Sequence, residues 1–360
     1  MFDAHLEAWF TGMMPDGIDR AEVVLVATAD SPPDAAAIIE QSIMISPTDG
    51  FETDADSLFD SHRRSVRVLR QVAPAMSPGS CDEFSGALRP GEELYFGDGL
   101  GVRIRNYGVA DFESLDVPTA FIISDDDDFS AYLRDADTAW NSGAFAPYVT
   151  HQSALIANLA CLGGAGDAAG PLNRLYVDDD GIARTSPVGR GLGALEDGLQ
   201  ALHRRWQRGN AVSVWPDTVG LEDVVSDGDR VAAFSERPWI GRYVSALRAL
   251  RVARATGRVA QQVSGFSARL TPGLPLSEAP DRVDAPVLAR FGAIYRALDP
   301  VGRAQIGLDP GQLRALELVL GGADMAEVPD AGAACQWLLA HNVARSWCLA
   351  VREATAASLA

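Results

Sequence analysis

One dipeptide, Asp309–Pro310, constrains the fold of this 360-residue chain more than any other feature. Aspartate is a favoured helix N-cap. Proline sits well at the first helical position, because its missing N–H would be unpaired there anyway. A helix must therefore begin at 310. Its body, GQLRALELVL, puts Leu313, Leu316 and Leu320 on one face, and Gly321–Gly322 stops it. Upstream, Ala289–Leu298 and Arg303–Leu308 read as two β-rich runs joined by the turn signal Asp299–Pro300–Val301–Gly302. Downstream, Asp324–Val328 reads as a short second helix ended by Pro329. Asp330 then caps a third helix, where Ala334, Trp337, Leu338 and His341 recur along one side.

The order β, β, α, short α, α is the layout of a winged helix-turn-helix. Upstream of it the pattern is mixed α/β. Val23–Ala27 is β-rich, and SPPDAAAIIEQSIM follows as a helix with a Ser31 cap. An Arg-bearing helix is expected at 60–72, between loop-like stretches at 46–60 and 74–90. ELYFGDGLGVRIRNYG reads as a hairpin around Gly-Asp-Gly. PTAFIIS is a buried strand, DDDDFSAYLRDADTAW the helix after it, and LNRLYVDDDGIARTSP a second hairpin. ALEDGLQALHRRWQRGN and RPWIGRYVSALRALRVARATG are helical by spacing, and VAQQVSGFSARL reads as a strand. The expected organisation is a mixed α/β region over 1–272, in one or two units, and a Pro/Gly-rich linker over 273–286. A winged-helix module over 287–349 and a tail over 350–360 follow.

Charge narrows the partners. The chain has 49 acidic and 30 basic side chains, net −19, and every basic residue is arginine. Counterion release on DNA or an anionic membrane needs a basic face, so neither is an expected partner. The imbalance is uneven: residues 285–360 hold six arginines against seven carboxylates. No apolar run approaches the roughly 18–20 residues that span a bilayer, and MFDAHLEAWF lacks the basic start of a signal peptide. Cys81, Cys161, Cys335 and Cys348 are scattered, with no C-x-x-C pair, so buried reduced thiols in the cytoplasm are expected.

Local catalytic signatures are missing. GGAGDAAG at 163–170 holds a G-x-G-x-x-A pattern, but Pro171 and strand-like residues follow where a dinucleotide site needs a helix. GRGLG at 189–193 is no phosphate loop, since the chain has no lysine; a lysine Schiff base is excluded too. Asp125–Asp128 suits a helix cap and first turn better than a metal, because consecutive side chains splay apart. Asp178–Asp180 before Gly181 suits a hairpin turn. The five histidines show no metal-binding spacing, and no G-x-S-x-G elbow exists. No cofactor, metal or catalytic residue is expected. An enzyme with a site assembled from distant residues and a winged-helix regulator stay open as alternatives.

The third helix is mostly apolar, offering Gln336, Trp337, Asn342 and, just beyond it, Arg345, which is a poor base-reading face. An apolar helix beside a strand edge suits another use: an extended peptide adding as a strand, its side chains entering the groove. The segment IYRALDPVGRAQIGLDPGQLRALELVLGGADMAEVPDAGAACQWLLAHNV, through Gly321–Gly322, Glu327–Val328 and Leu338–Val343, resembles the peptide-recognition element of PqqD-type proteins. Upstream, Tyr95–Phe96–Gly97–Asp98–Gly99, Arg237–Tyr243 and Val263–Leu270 resemble the daptide biosynthesis RiPP recognition proteins of actinobacteria. The resemblance implies a non-catalytic protein that binds a precursor's leader peptide. It also implies modifying-enzyme partners: a dehydrogenase-type oxidative decarboxylase, an aminotransferase and a methyltransferase. The expected peptide site is the strand Arg303, Ala304, Gln305, Ile306, Gly307 and Leu308, with Ala334, Trp337, Leu338 and His341 as the second wall. Along that strand, Ala304, Ile306 and Leu308 should face the core, and Arg303 and Gln305 the other side. Read structurally, Arg237–Tyr243 opens a helix with Pro238 in its first turn and Trp239, Tyr243 and Leu247 in the core, Gly265 is a strand bulge, and Phe96–Gly99 is a turn.

Overall fold

The computed structural model describes residues 4–13, 23–27, 66–71, 83–97, 99–164, 170–178, 180–211, 217–277, 281–301 and 304–358. The fold is mixed α/β. Helix α1 (Ala4–Thr11) precedes strands β1 (Val23–Ala27), β2 (Val66–Gln71), β3 (Glu83–Ser85), β4 (Glu93–Phe96), β5 (Gly101–Asn106) and β6 (Thr119–Ile122). Helix α2 (Asp126–Ser142) leads to β7 (Ala154–Ile156), β8 (Arg174–Val177), β9 (Ile182–Arg184) and β10 (Gly193–Ala194). These strands form one sheet in the order β10-β9-β8-β1-β2-β3-β4-β5-β6-β7. Pairing is parallel from β8 through β1 and β2 to β3 and from β5 to β7, with antiparallel hairpins at β3–β4–β5 and β8–β9–β10.

Both expected hairpins are present, as are β1, β6 and α2. Asp125 caps α2 as expected, its carboxylate accepting the Asp128 N–H at 2.9 Å. The helix expected at 60–72 is instead β2, for the described part of that span. There Val66, Arg67 and Val68 alternate with a period of two, and β2 is hydrogen-bonded to β1 on one side and β3 on the other. The helix expected after Ser31 lies outside the described residues.

At β6 the sheet is covered on both faces, and every position of that strand is buried. Ala120 and Ile122 join Trp9, Phe10, Phe84 and Phe96 on one face; Phe121 and Ile123 join α2 on the other. Helix α1 ties the sheet's flanks: Asn158 N–H donates to Phe10 O at 2.8 Å, and Trp9 Nε1 donates to Leu175 O at 3.2 Å.

Three helices follow, α3 (Leu199–Asn210), α4 (Asp227–Ser235) and α5 (Ile240–Ala255). Then come β11 (Gln262–Val263), β12 (Val287–Phe291), β13 (Ile294–Leu298), β14 (Gln305–Leu308), α6 (Pro310–Leu320), α7 (Ala331–Ala340) and α8 (Arg345–Ser358). The four strands make a second, antiparallel sheet in chain order. One face, with Leu288, Ala297, Ile306 and Leu308, packs on Leu313, Leu316, Leu338 and Trp347 of α6–α8. The other, with Val263, Val287, Ala289 and Leu298, shares a core with Leu247 and Leu250 of α5. Helix α5 is buried nearly all round because it lies between α2 and this second sheet.

This region differs from the expected layout in six places. The run Ala289–Leu298 is two strands, folded back at Gly292, whose φ of 63° favours glycine. Asp324–Val328 is turns, not a helix: Asp324 accepts the Ala326 N–H at 2.9 Å, and Pro329 follows too soon for a helix to nucleate. Asp330 precedes α7 in a left-handed conformation, and its side chain caps nothing. Strand β11 comes from before the expected linker, and α8 runs through Leu349 to Ser358, where a tail was expected from 350. Trp347 and Cys348 bury α8 in the core. Only Gln262–Val263 of the expected 259–270 strand is extended, because Gly265 (φ 88°) and Ser267 (φ 61°) turn the chain.

Buried polar side chains fasten the two regions together. Glu317 of α6 accepts from Ser264 Oγ at 2.5 Å, Leu270 N–H at 2.6 Å and Thr271 N–H at 2.8 Å. Arg269 forms a two-pronged pair with Asp281 at 2.8 and 2.7 Å, and Arg242 donates to Ala285 O and Pro286 O at 2.6 and 2.7 Å. Residues 281–286 are thus anchored, although they lie within the expected linker. Gly265 makes room for this pair: a Cβ there would stand 2.8 Å from Asp281 Oδ2.

Cys161, Cys335 and Cys348 are free and buried; Cys81 lies outside the described residues. Under native conditions these three thiols should resist a soluble disulfide reagent and react once the chain is unfolded in denaturant. Rapid titration of all three in the folded protein would contradict this packing.

Candidate peptide-binding edge

Among the described residues, β14 is the outermost strand of the second sheet. Its register sets Tyr295 opposite Leu308, Arg296 opposite Gly307, Ala297 opposite Ile306 and Leu298 opposite Gln305. The Asp299 N–H donates to Ala304 O at 2.9 Å, which fixes the phase of the ladder. Antiparallel pairs alternate between bonded and non-bonded, so Ile306 and Leu308 bond inward to β13. The backbone N–H and C=O of Gln305 and Gly307 therefore point to the open edge. Trp337 reports the same direction, because its indole Nε1 reaches Gly307 O at 3.4 Å.

Ile306 and Leu308 are buried, and Ala304 packs beside them, so these three face the core. Gly307 is exposed, and Gln305 donates through Nε2 to Thr256 Oγ1 at 3.2 Å, just past the end of α5. Arg303 lies outside the described residues. On α7 the expected wall divides. Ala334 and Leu338 are fully buried among the sheet and helix side chains and cannot line a groove. Trp337 is 41% exposed, and the His341 ring lies tilted against it with ring centroids 4.3 Å apart. His341 Nδ1 also lies 2.8 Å from Trp337 O. Three- and four-residue steps around 100° per residue spread these four side chains over two adjoining faces; Trp337 and His341 are exposed, and Trp337 touches the edge through Gly307 O. Sequence spacing alone could not separate them.

The other singled-out motifs have structural occupations. Asp128 is buried and accepts from Gly108 N–H at 2.7 Å, Asn106 Nδ2 at 3.2 Å and Ser124 N–H at 2.9 Å. Asp178 accepts from Asp180 N–H at 3.1 Å and Ile182 N–H at 2.9 Å, shaping the expected turn. Arg237 pairs with Asp137 through two 2.8 Å bonds, Trp239 stacks on Trp140, and Tyr243 is core. In the first hairpin Phe96 is core and Gly99 turns the chain at φ 84°, while Asp98 lies outside the described residues.

The strongest enzyme-like cluster is Cys161, Asp217, Arg174 and Arg230. Cys161 Sγ lies 3.3 Å from Asp217 Oδ2, and Trp206 Nε1 donates to Asp217 Oδ1 at 3.0 Å. Burial, and then the Asp217 charge, push the thiol well above its usual range. Burial raises the Asp217 carboxyl as well, against the opposing pull of Arg174. A nucleophilic cysteine needs the reverse, a lowered pKa and access. Here the cysteine is fully enclosed, and the cavity beside Arg174 holds about 10 Å³, roughly room for one water. Among the described residues no three metal-ligating side chains gather, and no helix is long and apolar enough to cross a membrane. Compared with family models, curated proteins and solved structures, the chain gives no match.

Proposed function

We propose that this protein is a non-catalytic recognition protein for a ribosomally made precursor peptide, taking the leader as an added strand on β14. The observation that carries this reading is the open β14 edge, with the Gln305 and Gly307 backbones turned outward beside an exposed Trp337. A peptide strand gains affinity from such main-chain bonds and specificity from alternate side chains. The resemblance of the C-terminal segment to PqqD-type winged-helix elements, and of the upstream motifs to daptide recognition proteins, points the same way. In this reading the leader is held on β14 while the core is passed to a dehydrogenase-type decarboxylase, an aminotransferase and a methyltransferase in the cytoplasm. The net charge of −19 argues against nucleic acid in its place.

Gln305→Pro tests the strand directly. Gln305 sits at a non-bonded position of β13–β14, so proline removes an outward donor and leaves the inner ladder intact. Calorimetric titration with the precursor's leader should show binding weakened by about 1–3 kcal/mol, with the circular dichroism spectrum unchanged. Wild-type affinity in the folded variant would rule out strand addition at this edge.

A further inference from the structure

Two arginines flank the open edge on the face turned toward α5. Arg296 is paired in register with Gly307, so it stands one strand in from the edge. Arg258 follows the end of α5 and donates to Thr256 Oγ1 at 2.6 Å, the same hydroxyl that receives Gln305 Nε2 at 3.2 Å. Arg258 is thus linked to β14 through a single hydroxyl. Among the described residues neither arginine forms an ion pair, in a chain with 49 carboxylates and 30 arginines. Burial, and then the like charge of Arg258, lower the Arg296 guanidinium from its usual value. Two close, unneutralised guanidiniums in an acidic protein mark a place where an anionic group from outside is favoured.

We propose that the strand added to β14 carries acidic side chains at alternate positions, and that these face Arg258 and Arg296. The proposal rests on the strand-addition reading and adds the chemistry of the peptide. Alternation follows from geometry: in an added strand every second side chain lies on the α5 face. The carboxylates on that face meet the guanidiniums, while the intervening side chains lie on the Trp337 side. Leucine or valine at those intervening positions would lie against the indole.

The test uses the full chain and two labelled heptapeptides, VEVEVEV and VKVKVKV, followed by fluorescence anisotropy. The glutamate peptide should bind at least about ten-fold tighter at low salt, with the difference largely lost near about 1 M salt. Arg258→Gln/Arg296→Gln should abolish the preference, and Arg258→Glu/Arg296→Glu should turn it toward the lysine peptide. That reversal also guards against a folding defect, which could not create a new preference. Equal binding of both peptides by the wild type, lost in Gln305→Pro, would keep strand addition and overturn the acidic preference. A glutamate preference that survives Gln305→Pro would place the anion site away from the edge and also overturn it. Displacement of the glutamate peptide by a short DNA duplex at equal concentration would assign the arginines to phosphate and overturn it too.

Discussion

Glu317→Ala is expected to lower the unfolding free energy by about 3–5 kcal/mol, measured by urea denaturation near neutral pH. The carboxylate lies on α6, is 1% exposed, and takes hydrogen bonds from Ser264 Oγ and from the backbone N–H groups of Leu270 and Thr271. The substitution leaves these donors facing a cavity. A buried donor stripped of its partner costs about 1–3 kcal/mol, whereas a satisfied bond contributes about 1. The expected loss is therefore mostly the penalty for the orphaned N–H groups. Glu317→Gln keeps one acceptor oxygen and should fall between wild type and alanine. A loss below about 1 kcal/mol for the alanine variant would mean that the turn after β11 finds other partners, and the anchoring role assigned here would be wrong.

Asp281→Ala should cost a similar amount, about 3–5 kcal/mol. Arg269 and Asp281 are both nearly buried, and the pair is two-pronged at 2.8 and 2.7 Å. Arg242 stands 3.9 Å from the same carboxylate. Removing the aspartate strands two guanidiniums in the interior, where an uncompensated charge is far costlier than a missing pair. Converting both partners of the main pair, Arg269→Met with Asp281→Leu, should recover much of the loss. The coupling read from this double-mutant cycle separates the pair from its surroundings. Strict additivity of the two single losses would show that the residues do not act as a pair. The same anchors predict that a protease will spare residues 281–286 and find its sites in the more exposed 271–277 stretch.

Local chemistry explains the parts of the fold that were legible in advance. The start of α6 follows from Asp309 and Pro310, and the structure adds a reciprocal bond from Gln312 that completes a capping box. The turns at Gly99 and Gly181 and the Asp125 cap are also decided within a few residues of chain. Such signals act through backbone conformation and short-range hydrogen bonds, so they are written into adjacent letters. The strand character of 305–308 and the inward direction of Ile306 and Leu308 were readable for the same reason, from a period of two.

Other features depended on neighbours distant in the chain. Strand β2 lies where a helix is expected, because neighbours on both sides, β1 and β3, hold its short alternating run extended. Strand β11 joins the second sheet across the 23 residues that separate Val263 from Val287 only because β12 offers it an edge. Whether β14 is an edge at all is a property of sheet order, which no residue within β14 encodes. The split of α7 into a buried pair, Ala334 and Leu338, and an exposed pair, Trp337 and His341, is set by how the helix is rotated against the sheet. Arg258 and Arg296 are 38 positions apart and carry no motif. The sequence by itself determined where elements start, stop and turn, because those choices are settled by nearby backbone atoms. The tertiary structure alone decided which edge stays open and which charges stand beside it, because burial, pairing and electrostatics act through space rather than along the chain.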